Sequence, residues 1–254
     1  MFQIQPQFSA GALWEEIAGK NNLFYEVLEF SAPPFHEDPD DFNRCLEWYK
    51  GSKKVRSLHG AFIDVNPGSG DPKFRSLSRE QCRTSCETAQ KLGAERVVFH
   101  SSAFPFLRGA YLDNWSGVCA DFYTELAEDF GLVICIENSM DLDPAAMRLL
   151  LSRTQSDKVR VCLDIGHANY SNTSLEEWFE ALGEYIDCMH LSDNCGRYDD
   201  HLILGEGNVD WKLADSLWRQ LGRDVPFTLE TGGIDGVKKS LSYLRDYGYF
   251  IQEA

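Results

Sequence analysis

Short apolar runs alternate with longer amphipathic stretches along the whole chain. The apolar runs, rich in β-branched residues, occupy Met1–Ile4, Leu23–Phe30, Lys54–His59, Arg96–His100, Leu132–Glu137, Val159–Asp164, Ile186–His190 and Pro226–Glu230. Near-continuous apolar runs of about four to eight residues are the pattern of strands buried on both faces, as in a parallel sheet. Helical spacing covers Gly11–Lys20, Asp41–Tyr49, Ser78–Leu92, Leu112–Phe130, Pro144–Ser152, Ser174–Glu184, Asp210–Leu221 and Ile234–Tyr247. Asp143 suits the N-cap of one of these helices, and Thr173 or Ser174 that of another. Strict βα alternation predicts an α/β protein, a single (β/α)8 TIM barrel over residues 1–254. A doubly wound sheet is the alternative, because spacing does not encode strand order. No linker, low-complexity tract or repeat beyond the βα period divides the chain.

The polar residues at the ends of these runs carry the chemistry. His59, His100, Glu137, Asp164, His190 and Glu230 close strands three to eight. His167 follows Asp164 by three residues, and Asp199 and His201 lie in the loop after His190. In a barrel all C-terminal strand ends meet on one face, where the active sites of this architecture sit. A single histidine at a strand end is commonly a hydrogen-bonded loop residue, but imidazole or carboxylate at six successive strand ends is a convergent set. Carboxylates crowded this way repel one another unless a cation neutralises them. The expected cofactor is therefore a divalent metal, zinc or manganese, as one to three ions. Gly205-Glu206-Gly207 reads only as a turn that needs glycine. The proline-rich stretch after Phe30, which contains His36, stands apart from the constellation.

Charge and composition restrict the partners. A net charge of −16 repels a polyphosphate backbone, which disfavours tight nucleic-acid binding and leaves a small molecule as the expected partner. No run reaches the ~20 apolar residues of a membrane span, so no membrane partner is expected. The stretch from Met1 to Ala10 lacks the basic and apolar regions of a signal peptide, so a cytoplasmic protein is expected. In that compartment the 8 cysteines read as small buried hydrophobes; Cys135, Cys162 and Cys188 lie inside strand runs. A homo-oligomer is compatible with this composition.

Two stretches are distinctive: C-L-D-I-G-H from Cys162 to His167, and H-L-S-D-N followed by D-D-H-L-I-L-G-E-G from His190 to Gly207. With Leu58-His59-Gly60 and Leu229-Glu230-Thr231, the chain resembles the xylose-isomerase-like barrel superfamily. That superfamily includes sugar-phosphate isomerases and epimerases as well as the endonuclease IV family. Resemblance to its isomerase branch implies an enzyme that holds one divalent ion on Glu137, Asp164, His190 and Glu230. Such an enzyme moves a proton through a metal-stabilised enediolate of a sugar or sugar phosphate. Glu137 and Glu230 would be the acid–base pair, and His167 and Arg197 would bind substrate oxygens or a phosphate.

Resemblance to the endonuclease IV branch implies instead a trinuclear zinc phosphodiesterase acting at abasic sites in DNA. Glu137 would then bridge two ions. His59 and His100 would complete one site, Asp164, His190 and Glu230 the second, and His167, Asp199 and His201 would hold the third. All nine positions match that branch in residue type. The chain departs from it at Phe62, where that branch usually has Tyr, at Asp200, where it has Arg, and at Ile165-Gly166. With the net charge, these departures favour the isomerase or epimerase, and the phosphodiesterase is the alternative.

Overall fold

The computed structural model describes residues 1–32, 38–106 and 108–251. Eight parallel strands close into a barrel in chain order: β1 (Phe2–Ile4), β2 (Phe24–Val27), β3 (Val55–His59), β4 (Arg96–His100), β5 (Val133–Glu137), β6 (Val159–Asp164), β7 (Ile186–Leu191) and β8 (Phe227–Leu229). The barrel closes where Phe2 pairs with Phe227 and Ile4 with Leu229. The connecting helices are α1 (Gly11–Asn21), α2 (Pro39–Ser52), α3 (Pro72–Leu92), α4 (Ala110–Phe130), α5 (Ala145–Leu151), α6 (Ile165–Tyr170), α7 (Leu175–Leu182), α8 (Trp211–Gln220) and α9 (Gly233–Tyr247). This is the (β/α)8 barrel that the alternation predicts, with one α-helix more than expected among the described residues. Among the described residues, no helix is long and apolar enough to cross a membrane.

The differences from expectation have local causes. Helix α3 begins at Pro72 rather than Ser78, because Asp71 Oδ1 accepts from the N–H groups of Lys73 (2.8 Å) and Phe74 (3.2 Å) and proline suits a first helical position. The unexpected helix α6 starts directly after β6, where Asp164 Oδ1 accepts from His167 N–H at 2.6 Å. The N-cap of α5 is Pro144 and not Asp143, which accepts from the N–H of Ala145 at 2.9 Å from one residue further out, and Ser174, not Thr173, caps α7 in a reciprocal pair with Glu177. Strand β2 stops at Val27, since a turn closes with Ser31 N–H donating to Leu28 O at 2.9 Å. Part of the proline-rich loop beyond it, His36 included, lies outside the described residues.

Successive residues of a strand point to opposite faces, and this sorts the barrel into layers. The outward set, including Ile134, Ile136, Val161, Leu163, Met189, Phe227 and Leu229, packs with the helices in one large core. The inward set builds the lumen. Val98, Cys135, Cys162 and Cys188 form a separate, fully buried cluster there. Two residues further along the same strands come His100, Glu137, Asp164 and His190. The ligand-type residues therefore stand one layer above an apolar, thiol-lined floor. Below that floor Arg96 Nε meets Asp187 Oδ2 at 3.1 Å.

Trp178 illustrates what holds the outer shell. Its side chain is fully buried and its Nε1–H donates to Ser171 Oγ at 3.0 Å. Trp178→Ala should lower the unfolding free energy by about 3–5 kcal/mol. Urea denaturation followed by circular dichroism measures this, and a loss below ~1 kcal/mol would contradict the packing described.

Candidate metal centre

Glu137, the last residue of β5, sits at the centre of the C-terminal face and is 1% exposed. Its Oε2 lies 3.3 Å from His59 Nε2 and 3.6 Å from His100 Nε2, at the ends of β3 and β4. Its Oε1 lies 3.4 Å from His190 Nδ1 and 3.2 Å from His167 Nδ1. His190 Nδ1 also faces Glu230 Oε1 at 3.1 Å. On the far side, Asp199 Oδ2 is 3.3 Å from His167 Nε2 and 3.1 Å from His201 Nε2. Three groups of ligand atoms result: His59, His100 and Glu137; Glu137, Asp164, His190 and Glu230; His167, Asp199 and His201. Glu137 belongs to two of them.

The orientation of these atoms fits cations. Neither oxygen of Glu137 has a hydrogen-bond partner, nor has Asp164 Oδ2 or His190 Nδ1, although all are buried. Unpartnered buried carboxylate oxygens are costly and uncommon. Here imidazole and carboxylate atoms approach within 3.1–3.6 Å without aligning on one another; they converge on shared points, as ligands of an ion do. The outer nitrogens are spoken for. His59 Nδ1 lies 3.0 Å from Gly60 O, His167 Nδ1 2.6 Å from Asn138 O, and His201 Nδ1 2.8 Å from Glu230 O. A carbonyl only accepts, so these nitrogens carry the proton and Nε2 is left as the donor to a metal.

The loop after β7 places Asp199 and His201. Asp193 is its pin. It is fully buried, and its Oδ1 accepts from Asn194 N–H (2.9 Å) and Val209 N–H (3.2 Å) while Oδ2 accepts from Gly205 N–H (2.8 Å) and Trp211 Nε1–H (2.9 Å). A β-bridge to Leu202 ties the loop back on itself. His201 takes φ 47°, a left-handed conformation costing on the order of 1 kcal/mol, held by its bond to the Glu230 carbonyl. The Gly-Glu-Gly turn is more specific than its sequence suggested. A Cβ on Gly207 would lie 2.2 Å from Asp193 Oδ1 and 2.3 Å from Asn194 O.

The chain matches the xylose isomerase-like TIM barrel family over residues 17–247. It belongs to that family. An uncharacterized protein of Methanocaldococcus jannaschii is 30% identical over 208 residues, spanning 77% of this chain and 71% of its own. The crystal structure of a D-tagatose 3-epimerase-like protein superposes with a TM-score of 0.80 at 26% identity, covering 97% of this chain and 96% of that one. Endonuclease IV from Thermus thermophilus, at 18% identity and a TM-score of 0.68, covers 97% of this chain and 98% of its own and shares the fold. Solved structures that share this fold thus include an epimerase-like protein and endonuclease IV.

All nine predicted ligands stand together on the face where this family's fold collects them. His167 arrives on helix α6 and not on a loop, and Glu230 lies one residue beyond β8. Arg197 is exposed on the loop before Asp199, with no hydrogen bond or ion pair to the nine. A cavity of about 560 Å³ opens beside His201 and Glu230, walled by Trp14, Leu28, Phe62 and Val237. Phe62 also packs edge-on to His59 at 5.1 Å. Sequence reading missed Glu26, which is fully buried in β2 with Oε1 3.0 Å from His190 Nε2. The available signal was a lone carboxylate in the apolar run Phe24–Val27.

Burial pushes the Glu230 carboxyl up to about 7, and the hydrogen bond to Asp199 raises His201 to about 9. Both groups bind protons more tightly in the folded state. They stabilise the metal-free fold at low pH, and that contribution is lost as pH rises from 4.5 towards 7 and from 6.5 towards 9. Metal must displace these protons, so zinc affinity should rise with pH across the same range, with proton release. Titration calorimetry in buffers of different ionisation enthalpy reads this; affinity independent of pH between about 6 and 9 contradicts it. Separately, Gly207→Ala should displace the loop and weaken metal binding at the Asp199–His201 group by about 10-fold or more while the barrel stays folded. Retention of the full metal complement, with unchanged affinity, would exclude the close-approach role of this glycine.

Proposed function

We propose that this protein is a divalent-metal-dependent phosphoesterase of small substrates, whose nine ligands hold more than one ion. The observation that carries this reading is the sharing of Glu137 between two ligand groups, beside a third group already assembled on Asp199. A carboxylate with one oxygen toward His59 and His100 and the other toward His190 is placed to join two ligand groups and is poorly placed to shuttle a proton. Five imidazoles and four carboxylates suit zinc, and manganese less well. Divalent ions held there would neutralise charge at a phosphoryl group and lower the pKa of an attacking water.

The protein's own residues supply the rest. The four carboxylates among the nine carry a charge that three divalent cations outweigh and one does not. A three-ion centre is therefore attractive to an anionic phosphate, and a two-ion centre does not repel it, even in a chain of net charge −16. No lysine or arginine lines the described walls of the adjoining cavity, so a phosphate finds its countercharge only at the centre. The aromatic and aliphatic walls of Trp14, Leu28 and Phe62 exclude water beside His201 and receive an uncharged part of the substrate. The acidic surface works against extended DNA.

A second reading is a sugar or sugar-phosphate epimerase using only Glu137, Asp164, His190 and Glu230. The 26% identity to a D-tagatose 3-epimerase-like protein favours it, as does a cavity sized for one small ligand. Metal analysis and turnover separate the two. The expected result is two or three zinc ions per chain and hydrolysis of a p-nitrophenyl phosphodiester, lowered about 100-fold or more by His201→Ala. Solvent exchange of a ketose C–H at one ion per chain, without phosphoester hydrolysis, would replace this proposal with the epimerase.

A further inference from the structure

Glu26 is a further carboxylate in the lumen, beside Glu137, Asp164 and Glu230, and none of the predicted roles uses it. It is 0% exposed, and no lysine or arginine contacts it. Its Oε2 accepts from Ser57 Oγ (3.0 Å) and Thr228 Oγ1 (3.1 Å), and its Oε1 accepts from Gln5 Nε2 (3.1 Å). Three neutral donors thus fix the group inside the barrel. Its cationic or polarisable partner is His190, whose Nε2 lies 3.0 Å from Oε1 at an ion-pair approach off the line of a hydrogen bond. A buried charge is not retained for stability alone, because desolvation consumes most of what its contacts return.

His190 also differs from its neighbours. His59, His167 and His201 each direct Nδ1 at a backbone carbonyl and leave Nε2 for the centre. His190 is turned round: Nδ1 faces Glu137 and Glu230, and Nε2 faces Glu26. Gln5 extends the same support, since its amide donates to Glu26 and also, in a short contact, to Glu230. One buried carboxylate therefore stands behind two ligands of the Glu137–Asp164–His190–Glu230 group.

We infer that Glu26 is a positioning residue: it fixes His190 as the Nε2–H tautomer, ligating through Nδ1, and through Gln5 it orients Glu230. A carboxylate behind an imidazole ligand raises its donor strength more than a carbonyl does, so this group should hold the tightest ion of the centre. The inference rests on the metal-centre reading, while leaving the choice of substrate open.

Zinc binding to the full-length protein, by competition with a chromophoric chelator, tests it in wild type and Glu26→Gln. Wild type is expected to bind zinc, and Glu26→Gln is expected to lose about 10- to 100-fold in affinity for its tightest ion, with the metal-free circular dichroism and melting temperature little changed. Equal affinities in two folded proteins would overturn the role of Glu26. Absence of zinc binding by wild type would overturn the metal-centre reading itself, a distinguishable failure. If Glu26→Gln does not fold, nitrogen-15 imidazole spectra of zinc-loaded wild type decide the matter. His190, assigned through a His190→Asn control, should show a protonated Nε2 and a metal-coordinated Nδ1. Coordination through Nε2 would reject the inference.

Discussion

A carboxylate cannot be left charged and unsolvated inside a protein without a partner, and Glu137, ringed by four imidazoles at 3.2–3.6 Å with no hydrogen bond to either oxygen, is a buried charge that calls for a cation. Against the cost of its burial, His190 and His100 hold the Glu137 carboxyl well below the usual carboxylate range. Removing any one imidazole leaves a buried charge less well matched, and removing Glu137 leaves imidazoles with no centre. The arrangement exists only because strands β3 to β7 end at one height around one axis. Barrel closure and ligand convergence are the same geometric fact.

The loops finish what the strands begin. Strand ends deliver His59, His100, Glu137, Asp164 and His190 with the stiffness of a hydrogen-bonded sheet. Asp199 and His201 come from a segment with no regular structure, yet it is anchored almost as firmly, because Asp193 accepts four hydrogen bonds within it. The anchoring carboxylate is uninvolved in the ligand set; it substitutes for the missing secondary structure. The charge of −16 counts every ionisable group of the chain, the four carboxylates among the nine included, whereas the potential at the mouth depends on how those four are neutralised. A net-charge argument made from the sequence therefore speaks about encounter with DNA and says little about the chemistry of the centre.

The barrel and the candidate residues at the strand ends were legible because both follow from period, whereas His167, Asp199 and His201 were picked out by their motifs. Inward-facing strand residues recur every second position, and the last of them lands at the rim; His100, Glu137 and His190 could be found by counting. The unexpected features are those where a local contact overrides period. Helix α6 was not foreseen because its six residues follow directly on Asp164, which serves as both ligand candidate and N-cap. Glu26 was hidden because an inward carboxylate in a short strand looks like an edge residue until the pairing is known. In fact Glu26 alternates with Tyr25 and Val27 of the outer core and pairs with Ser57, which places it in the lumen. The meaning of Gly207 was hidden for a different reason: the atoms it must clear, on Asp193 and Asn194, lie at the other end of the loop.

The thiol-lined floor bears on how the centre exchanges its contents with solvent. Val98, Cys135, Cys162 and Cys188 are fully buried and close the lumen beneath the ligands, and the Arg96–Asp187 pair seals it further down. Among the described residues, that floor leaves the rim, beside Phe62 and His201, as the side from which the centre meets solvent. For anything bound at the centre, exchange would then depend on the loops of the rim and not on the barrel, so a loop substitution far from any ligand atom would change how fast the centre fills without changing how tightly it holds.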